Sequence, residues 1–483
     1  MQKCIHIANM EARMALIGRE NEISILRDLR DSDKSEFAAI YGRRRVGKTF
    51  LVKELFGDEF TFYSTGVLDG AREVQLKAFN KEISRFGGEG LAAADNWMGA
   101  FENLNLLIER SPKERKIVFL DEIPWMATTN SDFLPGLDYF WNRWASSRKD
   151  VFLIVCGSAA SWMADNIIDN KRGLHNRLTR QICLEAFTLN ECERFFKSRR
   201  IPITRYQMAE AYMIFGGIPY YLCLMNPKYS LYQNVDAMYF AQNAELRDEF
   251  DNLYRSLYRN AENYIRVVEA LGKKGIGLTR AEVSTGSKIA DGGSLTKILR
   301  DLSLSGIIRE YKAFGRKKRE SIYQLIDPFS LFDLRFRSIR ELYSKDYWIK
   351  SSASPAHSAW SGYAYEKLCL LHLDQILKKL GISGVLTSVF SWRGESGGTG
   401  AQIDMIIDRN DSVINLCEIK YSSGEYSISK SYNKELRNKS CAFVEATRTR
   451  KAVQTTMITT FGLKRNAYSE EITSQVTLDD LFS

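Results

Sequence analysis

Histidine is scarce in this chain: 483 residues contain only 4, and the 8 cysteines form no C-x-x-C pair. That removes zinc ribbons, zinc fingers and most histidine-centred catalysis, which need several nitrogen or sulfur donors at close spacing. Cysteines this dispersed suit a reducing compartment. Long apolar runs are missing as well. The start, MQKCIHIANMEARMALIG, has no charged head followed by a sustained apolar run, and no stretch supplies about 18 uninterrupted apolar residues. No membrane partner is expected, and the chain is expected to be cytoplasmic.

What is present is ordinary globular material. Hydrophobic residues make up 45% and charged residues 26%, which argues against wholesale disorder. At about 100–200 residues per domain, the length implies three or four units. A net charge of +9 allows a polyanionic partner without demanding one.

One stretch carries explicit chemistry. YGRRRVGKTF places Gly42, Gly47, Lys48 and Thr49 at every required position of G-x-x-x-x-G-K-[ST]. FAAIYG before it has strand character, and TFLVKELF after it repeats apolar residues at helical spacing. In that context the backbone amides of Gly42, Arg43, Arg44, Arg45, Val46, Gly47, Lys48, Thr49 and Phe50 would cradle the phosphates of ATP. Lys48 would reach the outer phosphates, and the Thr49 hydroxyl would ligate magnesium (Mg2+). The partner motif is IVFLDE, a buried strand ending in two carboxylates. Asp121 would hold the Mg2+ through water, and Glu122 would polarise the attacking water. A third apolar run, VFLIVCGS, ends at Ser158, a candidate sensor of the terminal phosphate or simply part of a strand-to-helix turn.

GRRRVGKT, FLDEIPWM, CGSAASWM, RLTRQICLEAFTLNE and FGGIPYYL together resemble the archaeal-type ATPases, a branch of the AAA+/STAND class. The resemblance implies a basic residue presented to the nucleotide or to a neighbouring subunit. Arg177 matches best and Arg180 second; either could instead be a solvated strand-edge charge. A finger donated between subunits would imply a homo-oligomer. The triplet Arg43, Arg44 and Arg45 is characteristic of this family. Gly18, Arg19 and Glu20 resemble its opening segment, which precedes a helix beside the adenine, although an ordinary capped helix reads the same way.

From LNECERFFKSRR to about Tyr258 the pattern is helical, as expected of a lid, and GGIPYYL breaks a helix with two glycines and a proline. Three helical stretches of falling length follow, the third stopping at Gly306. Then IIREYKAFGRKKRESIYQLID forms two strand-like runs around the basic tip Arg316, Lys317, Lys318 and Arg319. Three helices and a hairpin describe a winged helix-turn-helix. Ser294, Lys297 and Arg300 would face a DNA groove, or the module would pack against a protein partner. The serine-bearing stretch after PFSLFDLRFRSIRELY reads as a connection.

The last segment opens with a helix carrying Glu366, followed by VLTSVFSW, QIDMIID and SVINLCEIKY as strands. Residues two apart on a strand share a face, so Glu418 and Lys420 point together, with Asp404 on the adjacent strand. This order resembles the PD-(D/E)xK nucleases, and the ATPase family often carries such a C-terminal domain, DUF234. The resemblance implies that Glu366, Asp404 and Glu418 hold a hard divalent cation and that Lys420 orients the nucleophile. A degenerate fold that binds nucleic acid or protein without cutting is the alternative.

The expected fold is therefore α/β. A P-loop NTPase of AAA+/STAND type with a parallel sheet spans 1–190, a helical lid 191–258 and a winged helix 259–328. A connection spans 329–355, and a restriction-endonuclease-like α/β domain 356–483. The expected function is an ATP-hydrolysing enzyme coupled to a DNA-binding, metal-dependent nuclease domain, or a regulatory switch whose nuclease-like domain is inactive.

Overall fold

The computed structural model describes residues 16–128, 131–169, 176–312, 314, 321–342, 346–396 and 399–483. The chain divides into two compact units, Met1–Ala186 and Phe187–Ser483.

The first unit is built on five parallel strands, β1 (Glu36–Tyr41), β2 (Phe60–Thr65), β3 (Lys116–Asp121), β4 (Val151–Gly157) and β5 (Arg180–Cys183), in the order β2-β3-β4-β1-β5. All residues of β3 and β4 are buried. A parallel sheet covered on both faces selects such near-continuous apolar strands rather than alternating ones. Phe37, Phe62, Phe79, Trp97, Phe101 and Phe133 pack on one side of the sheet. The order has a functional consequence: β1 and β3, which carry the two expected phosphate-site motifs, are not neighbours but flank β4, and β4 delivers Ser158 between them.

The second unit begins with two helices, Leu189–Ser198 and Arg205–Phe215, each opened by a complete capping box, Thr188 with Glu191 and Thr204 with Gln207. Each box satisfies two orphan amides of a helix start. Gly216 (φ 68°) and Gly217 (φ 63°) then break the chain as expected, and Pro219 opens the next turn. At Gly217 a side chain would also meet the Phe187 carbonyl at 2.4 Å.

Helices α1 (Ala261–Gly272), α2 (Arg280–Ser287) and α3 (Gly293–Leu304) run 12, 8 and 12 residues, so the expected fall in length stops at the second. Gly306 (φ 67°) follows the third. A small antiparallel sheet, β6 (Leu278–Thr279), β7 (Ile308–Lys312) and β8 (Ser321–Leu325), has the order β6-β8-β7; its third strand, only two residues long, was not foreseen. The basic tip Arg316, Lys317, Lys318 and Arg319 lies outside the described residues.

Within the span 329–355, α4 (Pro328–Glu341) covers the aromatic stretch PFSLFDLRFRSIRE, and Tyr347–Ser351 adds a turn of helix in the serine-bearing stretch read as a connection. Trp348 is fully buried against Phe332, Phe336 and Trp360. The helix start is satisfied from a distance, because the Asp236 carboxylate accepts from the Trp348 and Ile349 amides at 2.8 and 3.1 Å. A local reading cannot see a cap supplied from elsewhere in the chain.

Helix α5 (Pro355–Leu371) leads into the last sheet: β9 (Thr387–Ser396), β10 (Thr399–Arg409), β11 (Val413–Lys420), β12 (Ala452–Thr459) and β13 (Ser474–Thr477). The order is β13-β12-β11-β10-β9, antiparallel through β11 and parallel from there, with α6 (Lys430–Thr447) crossing between β11 and β12. No helix among the described residues is long and apolar enough to cross a membrane.

Candidate functional site

The phosphate loop is shaped by two glycines and one strained arginine. Gly42 has φ 139°, and a Cβ there would sit 2.2 Å from the Leu184 carbonyl oxygen; Gly47 has φ 94° and Arg45 φ 73°. Only glycine tolerates the close approach at Gly42. The helix Lys48–Phe56 starts immediately after Gly47, so its unpaired amides and positive dipole end face the loop.

Lys48 is buried, and its ammonium donates to the carbonyls of Gly42 and Arg43, at 2.9 Å each. A charge held by two neutral carbonyls is placed to exchange them for phosphate oxygens. Thr49 Oγ1 donates to Asp121 Oδ2 at 2.8 Å, which brings the ends of β1 and β3 together across β4. Burial pushes the Asp121 carboxyl up, the charge of Glu122 adds to this, and the Thr49 hydroxyl opposes it. One hydroxyl and one carboxylate at this distance fit magnesium, which keeps several waters and takes few protein oxygens.

Glu122 adopts a left-handed backbone, φ 49°, right after the strand. Its carboxylate accepts from the Ser158 amide at 3.0 Å and, on the other oxygen, from the Ser158 hydroxyl. The structure thus brings Lys48, Thr49, Asp121, Glu122 and Ser158 to one end of the sheet, with Ser158 contacting the glutamate.

Other expected residues are placed differently. Arg19 is buried, with Nη2 donating to the Glu185 carbonyl at 2.6 Å and the Val46 carbonyl at 3.4 Å. It clamps the loop to the segment after β5, a role the sequence reading did not assign. Arg177 and Arg180 are exposed. Arg43, Arg44 and Arg45 are half-buried along the loop.

In the second unit, Glu418 is 2% exposed, and both its carboxylate oxygens are bound by Lys439 Nζ, at 2.9 and 3.0 Å. The Tyr432 hydroxyl donates to the same carboxylate at 3.2 Å, and the Lys420 ammonium lies 5.1 Å from the centre of the Tyr432 ring. Asp404 sits at an irregularity where β10 gains one residue over β9 between Ile403 and Ile406. Such a bulge re-aims a side chain, and Asp404 Oδ2 accepts from the Ile419 amide at 3.3 Å.

Burial, then the charge of Asp404, pushes the Glu366 carboxyl up, while burial pushes the adjacent Lys367 ammonium down; the two groups lie 3.7 Å apart. Glu366, Asp404, Glu418 and Lys420 therefore share one region. Among the described residues, however, no group of three or more His, Cys, Asp or Glu side chains is gathered to hold a metal ion. With Lys439 on the Glu418 carboxylate, this donor set does not fit a divalent cation. Neither Lys439 nor Tyr432 was foreseen. Their spacing of seven on α6, one face of a helix, was the available signal.

Residues 16–225 match the family described as an ATPase domain predominantly from Archaea. An uncharacterized protein of Methanocaldococcus jannaschii is 24% identical over 413 residues, 84% of this chain and 87% of that one. Among solved structures, a Walker-type ATPase of Pyrococcus abyssi covers 67% of this chain and 97% of its own, at 17% identity and a TM-score of 0.47. The ORC2 protein of Aeropyrum pernix, in ADPNP and ADP complexes, covers 69% and 97%, at 13% identity and a TM-score of 0.42. By the family match, residues 16–225 are an ATPase domain of archaeal type.

Proposed function

We propose that this protein hydrolyses ATP at the Lys48–Glu122 site and uses the cycle to control a nucleic-acid-binding C-terminal domain. In the first step Lys48 exchanges its two carbonyl partners for phosphate oxygens, and the loop amides hold the rest of the chain of phosphates. Magnesium held by Thr49 and Asp121 would neutralise phosphate charge. Glu122 orients a water and takes its proton as the water oxygen bonds to the terminal phosphorus and the bond to ADP breaks.

The observation that carries the coupling is that the expected lid helices and the last sheet form one body. The Leu189 amide donates to His372 Nε2 at 3.0 Å, Arg205 pairs with Asp479 at 3.1 Å, and Tyr206 stacks on Tyr421 at 5.0 Å. A movement imposed on those helices by nucleotide would be carried to the strand that ends in Lys420.

The helix Glu366, strand Asp404 and strand Glu418-x-Lys420 arrangement supports a nuclease-like domain. The Lys439 contact favours the reading in which that domain, in this state, binds DNA without cutting it. Full-length protein incubated with linear and circular DNA, Mg2+ or Mn2+, and ATP or a non-hydrolysable analogue tests both parts. Metal-dependent cleavage that Lys420→Ala abolishes would replace the non-cutting reading, and DNA affinity indifferent to nucleotide would end the coupling.

A further inference from the structure

The group at the end of β11 is continued on the other side by a column of aromatic rings that extends beyond the Tyr206–Tyr421 contact to the surface. Tyr421 follows Lys420 directly. Its ring stacks on Tyr206 at 5.0 Å with planes 16° apart, and Tyr206 stacks on Phe461 at 5.4 Å and 24°. Tyr365 closes the buried end of the column, 5.2 Å from Tyr421. Phe461 is the outer ring and is 46% exposed.

Phe461 is held rather than loose. The Gly462 amide donates to Thr459 Oγ1 at 3.0 Å, Gly462 has φ 88°, and the Tyr426 amide and carbonyl bind the Gly462 carbonyl and the Lys464 amide at 2.9 Å each. The same short loop then presents Lys464 and Arg465 to solvent; Arg465 has one acidic neighbour, Glu470, at 3.5 Å, with both side chains largely exposed.

From this geometry we infer that Phe461, backed by Tyr206 and Tyr421, is a stacking platform for an unpaired base of single-stranded nucleic acid. The inference rests on the nucleic-acid-binding reading of this domain. Near-parallel rings offer a flat outer face, which suits a planar base; an apolar peptide side chain would be better served by a concave pocket. Every base has a π-face, so such a platform binds without regard to sequence, while cations one turn of loop away meet the adjoining phosphates. A ring fixed by backbone hydrogen bonds loses little freedom when a base lands on it. The position also suits a ligand: Lys420 and Thr459 are paired at the carboxyl ends of the parallel strands β11 and β12, where open α/β sheets bind ligands.

The test is fluorescence anisotropy of full-length protein with a labelled single-stranded oligodeoxynucleotide and with an all-abasic oligomer of equal length. Phe461→Ala should weaken binding of the base-bearing strand about tenfold, the order of one base–ring stack, and leave the abasic strand unchanged. Phe461→Trp should retain or improve it, with melting temperatures showing that both variants fold. If wild type binds both oligomers and Phe461→Ala changes neither, the platform is wrong although the nucleic-acid reading stands. If wild type binds neither, that reading fails and the platform fails with it. If neither oligomer binds but a polypeptide is captured that Phe461→Ala releases, the surface is a protein site and the inference is overturned.

Discussion

At the residue scale, the ATPase site separates into groups with distinct duties. Lys48→Ala removes the ammonium that donates to the Gly42 and Arg43 carbonyls. ATP binding should fall and turnover drop by about 100-fold or more, measured by nucleotide titration and phosphate release. Glu122→Gln keeps the shape but loses the proton acceptor, so ATP should still bind while turnover falls about 100-fold or more; equal rates in all three proteins would refute the ATPase assignment. Ser158 holds Glu122 through both its amide and its hydroxyl. Ser158→Ala removes only the hydroxyl contact, and kcat should drop about tenfold at unchanged ATP affinity, as expected for losing one hydrogen bond to a charged group. A change confined to affinity would instead place Ser158 on the phosphate.

At the scale of elements, the loop and the helix junctions are the sensitive parts. Gly42→Ala combines a positive φ with a backbone collision 2.2 Å from its Cβ, and neither party is a flexible side chain. The variant should lose about 2 kcal/mol or more of stability, read from chemical denaturation, and should bind ATP poorly. His372 joins two elements: Nε2 accepts from the Leu189 amide at the start of Leu189–Ser198, and Nδ1 donates to the Leu368 carbonyl at 2.9 Å within α5. This fixes a neutral imidazole, and burial lowers its pKa from 6.5 to about 4. Because the folded value is the lower one, the unfolded chain binds the extra proton between the two. Stability is complete above the unfolded pKa and is lost as the pH falls from 6.5 toward 4, in all about 3 kcal/mol. His372→Gln should flatten that part of the stability–pH curve relative to wild type; an unchanged slope would show that the imidazole is not the group responsible.

At the scale of the whole molecule, the chain divides into two compact units, and the proposed nucleic-acid contacts lie in the second. If the second unit holds DNA through phosphate contacts, affinity must fall with salt, by a log–log slope near 0.9 for each phosphate neutralised. We expect that slope to differ between the ATP-analogue-bound and ADP-bound proteins, because the helices from Leu189 to Phe215 and the Lys420 strand belong to one body. A salt-independent affinity would point to a protein partner instead. Lys439→Ala gives a complementary readout: freeing the Glu418 carboxylate should raise divalent-cation affinity, measured by calorimetry, and no change would mean that Lys439 does not compete for it.

The phosphate loop was legible in the sequence because its chemistry is local. Gly42 to Thr49 form one turn of backbone, and Asp121 and Glu122 close a strand whose apolar run identifies itself. The shared face of Glu418 and Lys420 was legible through the period of two along a strand, whereas Asp404 lies at a bulge that the period does not reveal. Tertiary structure alone decided that β4 separates the two motif strands, that Ser158 binds the glutamate, that Arg19 clamps the loop and that Asp236 caps the helix at Trp348. It also decided that Lys439 occupies Glu418 and that Tyr206, Tyr421 and Phe461 share one column. Each of these is a contact between residues far apart in the chain, and side-chain spacing along one element carries no information about which distant element will face it.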